Sequence, residues 1–148
     1  MRFDIDKIFS EIETLEDEDQ IPLQGVPGIE DLSYGTGGFW KLEHPEHMFT
    51  KLNFDLPYTN SIIEKLGMYN SRVMKLRPRS CYTFHSDLQR RIHIPVITNR
   101  DCFFIIEDKV ERLKGEGDYY IVDTTKYHTF VNASVYDRIH IVGGFHEV

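Results

Sequence analysis

The sequence has little with which to cross-link or anchor itself. Its 148 residues include two cysteines, Cys81 and Cys102, and without an export signal both are expected to be reduced thiols. No apolar run approaches the length of a membrane span. The N-terminal "MRFDIDKIF" is amphipathic and lacks the apolar centre of a secretory leader. No lysine- or arginine-rich run occurs in a chain of net charge −7, which argues against a nucleic-acid surface that tracks phosphates. Internal repeats, low-complexity tracts and linkers are also missing. These absences predict a cytoplasmic protein of one domain over residues 1–148, long enough to bury a core without disulfides or a structural metal.

Aromatic residues are plentiful: eight Tyr and ten Phe suit sheets better than helical bundles. Residues 1–70 read as a helical and loop-rich part. Ile5, Ile8, Phe9, Ile12 and Leu15 form one apolar stripe, which predicts a helix whose acidic end, "EIETLEDEDQ", is solvated. "IPLQGVPGIEDLSYGTGG" reads as loop. A second short helix is expected over residues 60–66, capped by Asn60 or Ser61, with Ile62, Ile63 and Leu66 buried and Gly67 ending it. From residue 71 the period changes to two. Strands are predicted at 71–76, 81–85, 91–98, 102–107, 110–113, 118–123, 127–132 and 138–143, separated by turn chemistry. So many short strands in residues 71–145 imply a mostly β sandwich or barrel.

The stretch "FHSDLQRRIHIPV" carries the chemistry. Arg91, His93 and Pro95 alternate with Ile92, Ile94 and Val96, a strand pattern whose polar side holds an arginine and a histidine. Just upstream, His85 and Asp87 stand two apart, so in a strand their side chains project to one face. The His-x-Asp pair alone is a weak signal, expected about half a time by chance in such a chain. A later strand repeats the oddity. His128 opens "HTFVN" and Arg138 follows ten residues on in "DRIHIV". A hairpin across "ASVYD" would put His128, Arg138 and His140 on one face and leave Ile139 and Ile141 for apolar packing. Two His and one carboxylate are the donor set of the facial triad for non-haem Fe(II), with positions open for a chelating 2-oxo acid and O2. Arg138 offers that acid's far carboxylate a fixed planar cation.

Together, "LRPRSCYTFHSD", "RIHIPVITNRD", "GEGDYYIVDTTKYHTFVN" and "DRIHIVGGF" resemble the aspartyl/asparaginyl β-hydroxylase family over residues 72–145. The resemblance implies a double-stranded β-helix (jelly-roll, cupin-like) core with the N-terminal helices packed outside. It implies His85, Asp87 and His128 as Fe(II) ligands and catalytic residues. Arg138 is the implied partner of the 2-oxoglutarate distal carboxylate, with Arg91 and His93 contacting the co-substrate or its surroundings. The implied activity is a 2-oxoglutarate-dependent hydroxylase of an unactivated C–H in an amino acid or peptide side chain, giving succinate and CO2. Asp87 makes the triad complete, where some animal members carry Gly.

Two rivals are weighed against this. A non-catalytic metal- or ligand-binding β-helix module would have no reason to keep all three ligands and Arg138. A cupin-type metal enzyme usually shows His-x-His and a nearby Glu, not His-x-Asp. Other motifs have plainer readings. "HPEHM" offers His44 and His47, but Pro45 makes a surface loop the expectation rather than a second metal site. "GTGGF" lacks the Gly-Lys-Ser/Thr of a phosphate loop, and Trp40 is expected in the core or a pocket wall. Arg72, Arg77, Arg79, Arg90 and Arg100 are either solubilising or the rim of an anionic pocket. His140 reads equally as a hydrogen-bonded histidine near a barrel mouth and as a functional one.

Overall fold

Two α-helices flank a set of antiparallel strands in the computed structural model, which describes residues 2–36 and 43–146. Most of "GTGGF", and Trp40 with it, lie outside the described residues. Helix α1 (Ile5–Ile12) starts where the Asp4 carboxylate accepts from the Lys7 backbone N–H at 3.2 Å. Helix α2 (Pro57–Lys65) begins three residues earlier than its sequence pattern predicts, with Pro57 in the first turn and neither Asn60 nor Ser61 as cap. Its free N–H groups are met from α1 instead. The Glu11 carboxylate accepts from Tyr58 N (2.9 Å), Thr59 N (2.7 Å) and Thr59 Oγ1 (2.7 Å). Burial alone would raise the Glu11 pKa, but these bonds at a helix N-terminus hold it below the usual carboxylate value.

The strands are β1 (Gln20–Pro22), β2 (Gln24–Gly25), β3 (Lys51–Leu52), β4 (Met68–Leu76), β5 (Ser80–Cys81), β6 (Arg91–Ile97), β7 (Cys102–Ile106), β8 (Lys109–Glu111), β9 (Tyr120–Val122), β10 (His128–Asn132) and β11 (Arg138–Phe145). A five-stranded sheet runs β1-β4-β11-β6-β9, and a four-stranded sheet runs β5-β10-β7-β8. Consecutive strands from β4 onward fall in alternate sheets or fold back within one, and every pairing is antiparallel. This is the jelly-roll winding of a cupin-like core. Ile21 and Pro22, at the start of the expected loop, join Gln20 in an added edge strand on β4, in register Ile21 to Val73. The acidic tail before it is not merely solvated, because Asp17 and Asp19 pair with Arg77 at 3.0 and 2.6 Å.

One pairing differs from the sequence-based expectation. β10 and β11 form no hairpin: β10 pairs with β5 and β7, whereas β11 pairs with β4 and β6. Residues 133–137 instead cross from one sheet to the other. Since both sheets turn one face toward the space between them, His128 and Arg138 still meet across that space.

Alternation sorts the side chains. Val73, Ile92, Ile94, Val96, Ile139 and Ile141 point outward from the larger sheet and pack against Ile8, Ile12, Ile62 and Ile63 of the two helices. Each such side chain contributes about 1.5–3 kcal/mol by leaving water. A smaller cluster of Leu76, Phe104, Val122 and Phe130 fills part of the space between the sheets.

A candidate metal centre and anion pocket

The chain beyond β5 brings the first two candidate ligands to β10. His85 and His128 exchange both backbone hydrogen bonds, N to O at 3.0 and 2.9 Å, which sets their rings side by side with centres 4.6 Å apart. Asp87 is held by its own N–H to Thr124 O at 2.8 Å. The ligand atoms of His85, Asp87 and His128 lie within 4.8 Å of one another. Nε2 of His85 is 3.5 Å from one Asp87 oxygen, and Nε2 of His128 is 3.9 Å from the other.

Both imidazoles are oriented in the same way. His85 Nδ1 donates to the carbonyl of Thr83 at 2.7 Å, and His128 Nδ1 to that of Lys126 at 2.8 Å. With the proton committed to Nδ1, each Nε2 turns a lone pair toward the carboxylate. Two lone pairs and a carboxylate converging on one space are three acceptors with nothing to donate between them. A divalent cation is the group that fits, and this N,N,O set suits Fe(II). His128 is buried and His85 is well exposed, so the set sits at a cavity mouth.

That cavity has a volume of about 620 Å3 and reaches from the three ligands to Arg138. Arg138 is 2% exposed. Its guanidinium lies over the rings of Phe130 (5.4 Å) and Tyr82 (5.9 Å), and Nη2 donates to Met74 O at 3.3 Å. Nε and Nη1 of Arg138 and the Tyr82 hydroxyl have no hydrogen-bond partner among the described residues. Burial lowers the Arg138 pKa and raises that of Tyr82, and the closeness of the two groups to each other offsets part of both shifts. A buried cation with two open N–H groups beside an unmatched hydroxyl is costly unless an anion fills the gap. Tyr82 is a residue that sequence reasoning missed, since a tyrosine in a strand looks like ordinary packing.

The remaining candidates fall into place around this axis. His93 lines the cavity, stacks on Phe130 at 4.7 Å, and has its Nδ1 3.1 Å from His140 Nδ1. Arg91 is engaged by two carboxylates: it pairs with Glu46, and its Nε is 3.7 Å from Asp87. Burial lowers its pKa to about 10. Glu46 is also bonded by Asn70 and Gln89, each at 2.8 Å. The "HPEHM" segment thus matters through its glutamate rather than its histidines: His44 bonds the Tyr34 hydroxyl at 2.8 Å and His47 is exposed. Of the five other arginines considered, only Arg72 lines this cavity, bonded to Asn70 and Gly35 carbonyls. Cys81 and Cys102 are free thiols. Among the described residues, no helix is long and apolar enough to cross a membrane.

Comparison with known proteins adds a family. The model of the family described as aspartyl/asparaginyl beta-hydroxylase matches residues 3–146. No curated protein matches the chain. Similar solved structures include a Photorhabdus luminescens protein (19% identity over 52% of this chain and 62% of that one, TM-score 0.44). Two others are a cupin 2 conserved barrel domain protein from Salinispora arenicola (14%, 51% and 61%, 0.43) and a predicted oxalate decarboxylase from Thermotoga maritima (19%, 55% and 69%, 0.42). The match spans about three fifths of the length of the first two.

Proposed function

We propose a function from one premise, that the chain belongs to the aspartyl/asparaginyl β-hydroxylase family. The protein is a dioxygenase dependent on Fe(II) and 2-oxoglutarate. It hydroxylates an unactivated C–H bond of an amino acid or a peptide side chain, with succinate and CO2 as co-products. The observation that carries this reading is the buried Arg138, open at two nitrogens, in the same cavity as the two imidazoles and the carboxylate.

Held by His85, Asp87 and His128, ferrous iron would supply the redox chemistry that couples decarboxylation of the 2-oxo acid to insertion of oxygen from O2. The chain's own residues do the rest. His85 and His128 present neutral Nε2 donors because backbone carbonyls hold their Nδ1 protons. Arg138 receives the distal carboxylate of 2-oxoglutarate in its planar fork, and the Tyr82 hydroxyl adds a second donor to it. Phe130 and Met74 keep water from that end, which strengthens the ion pair. Arg91, braced by Glu46, orients the free side of Asp87 and faces the mouth where substrate enters.

The test is anaerobic mixing of protein, Fe(II) and 2-oxoglutarate. A weak visible charge-transfer band is expected, followed by succinate release stimulated by an amino acid or peptide once O2 is admitted. Asp87→Ala should lose both the iron and the band. Arg138→Met should keep the iron and need about 100-fold more 2-oxoglutarate, the loss of a buried charged contact of about 3 kcal/mol. Folded protein that gives no band would favour a non-catalytic binding module.

A further inference from the structure

His140 has no part in the chemistry above, yet it is buried against His93, which lines the cavity. His93 on β6 and His140 on β11 face each other with their Nδ1 atoms 3.1 Å apart. The contact is built into the sheet, since β11 lies beside β6 with His140 opposite Pro95 and Val142 opposite His93. Burial first, and then the Arg138 cation, hold both rings well below the ordinary histidine range. The pair is therefore neutral, and the gap holds one proton that one ring donates and the other accepts. Among the described residues neither ring makes another hydrogen bond.

Two arrangements compete. If His93 donates, the remaining proton of His140 sits on its Nε2, an N–H that has no acceptor among the described residues and lies near the donor-only Arg138. A ring N–H close to a fixed cation is disfavoured relative to a lone pair in the same place. If His140 donates, its Nε2 keeps a lone pair, which the neighbouring cation favours. His93 then carries its proton on Nε2, the one ring nitrogen it has left for the cavity it lines.

We propose that His140 is a positioning residue: by donating its Nδ1–H to His93 it fixes His93 as the neutral Nε2–H tautomer and so turns a hydrogen-bond donor toward an anionic ligand in the cavity. That this ligand is 2-oxoglutarate rests on the function proposed above; the tautomer assignment does not.

The experiment uses the full chain labelled with 15N-histidine at about pH 7.5, where unperturbed imidazoles are mostly neutral. Spectra of His93→Phe and His140→Phe assign the signals. The expected result is a protonated Nε2 and bare Nδ1 on His93, a protonated Nδ1 on His140, and scalar coupling between the two Nδ1 nitrogens. A proton found on Nδ1 of His93 would overturn the proposal. His140→Asn retains an N–H donor near the Nδ1 position and should preserve the His93 tautomer, whereas His140→Phe should let the His93 proton spread over both nitrogens. A single unchanged tautomer in His140→Phe would also overturn it; should that variant not fold, the wild-type and His140→Asn spectra decide. In binding, His140→Phe should weaken 2-oxoglutarate about three- to tenfold with iron affinity unchanged, and His140→Asn should restore it. An equal loss in His140→Asn counts against the idea. Absence of 2-oxoglutarate binding with the expected tautomers intact would sink the proposed function and leave this inference standing.

Discussion

The two faces of the five-stranded sheet are made by the same strands and differ in almost every property. Ile92, Ile94, Ile139 and Ile141 face the helices and form a dry aliphatic layer. One residue out of step, Arg91, His93, Arg138 and His140 face the other sheet, where buried cations and imidazoles gather around a cavity. The outer face stabilises the fold. The inner face costs stability, since Arg138 is buried with no carboxylate partner among the described residues and two histidines are held neutral beside it. Separating the tasks by strand parity lets one sheet be both scaffold and pocket wall, provided the register never slips.

The comparison can be broken from either side. Its largest expected consequence comes from the outer face: Ile141→Ala should destabilise the protein by about 2–5 kcal/mol in a denaturant titration, while the folded fraction still takes up Fe(II). Loss of iron affinity in folded protein would show that the two faces are not independent. Acid should expose the cost of the inner face. Because His93 and His140 bind protons more weakly in the folded state than in the unfolded one, stability is full above about pH 6.5. It falls as the pH drops below that value, by up to about 1.4 kcal/mol per pH unit for each ring. A flat denaturation profile from pH 7.5 to about 5.5 would mean that both rings protonate inside the fold. Arg138→Met should go the opposite way to most core substitutions and stabilise the ligand-free protein by about 1–2 kcal/mol in the same titration, since it removes an unpaired buried charge. A destabilised Arg138→Met would place Arg138 on the structural side of the comparison. The smallest effect belongs to the helix layer, where Glu11→Ala should cost about 1 kcal/mol by uncapping α2, read as a lower thermal midpoint with unchanged metal binding.

Much of this was legible in the chain because the inner and outer faces alternate within single strands. "RIHIPVI" and "RIHIV" display both faces at once, so β6 and β11 and the inward set of Arg91, His93, Arg138 and His140 could be read directly. His128 opens β10 and shares that alternation, whereas His85 and Asp87 lie beyond β5, outside any strand, and were visible only through their His-x-Asp spacing. Partners across space were not. Which sheet β10 and β11 join depends on how residues 133–137 cross between layers, and local alternation is the same in a hairpin or a crossover. Glu46 arrives at Arg91 from a separate segment, and Glu11 reaches α2 across a helix pair. Neither contact leaves a pattern in its own neighbourhood. β1 leaves no period to read, because it is three residues long and the last of them is a proline. Tyr82 became conspicuous only once its hydroxyl could be seen without a partner.

The ring of each candidate ligand histidine is tethered to the carbonyl two positions before it, Thr83 for His85 and Lys126 for His128. The instruction that aims the imidazole is therefore written in three successive residues and borrows no side chain from the rest of the lumen. Pocket-lining side chains that do not touch Asp87 can then change, reshaping what the protein accepts, while both imidazoles stay on target.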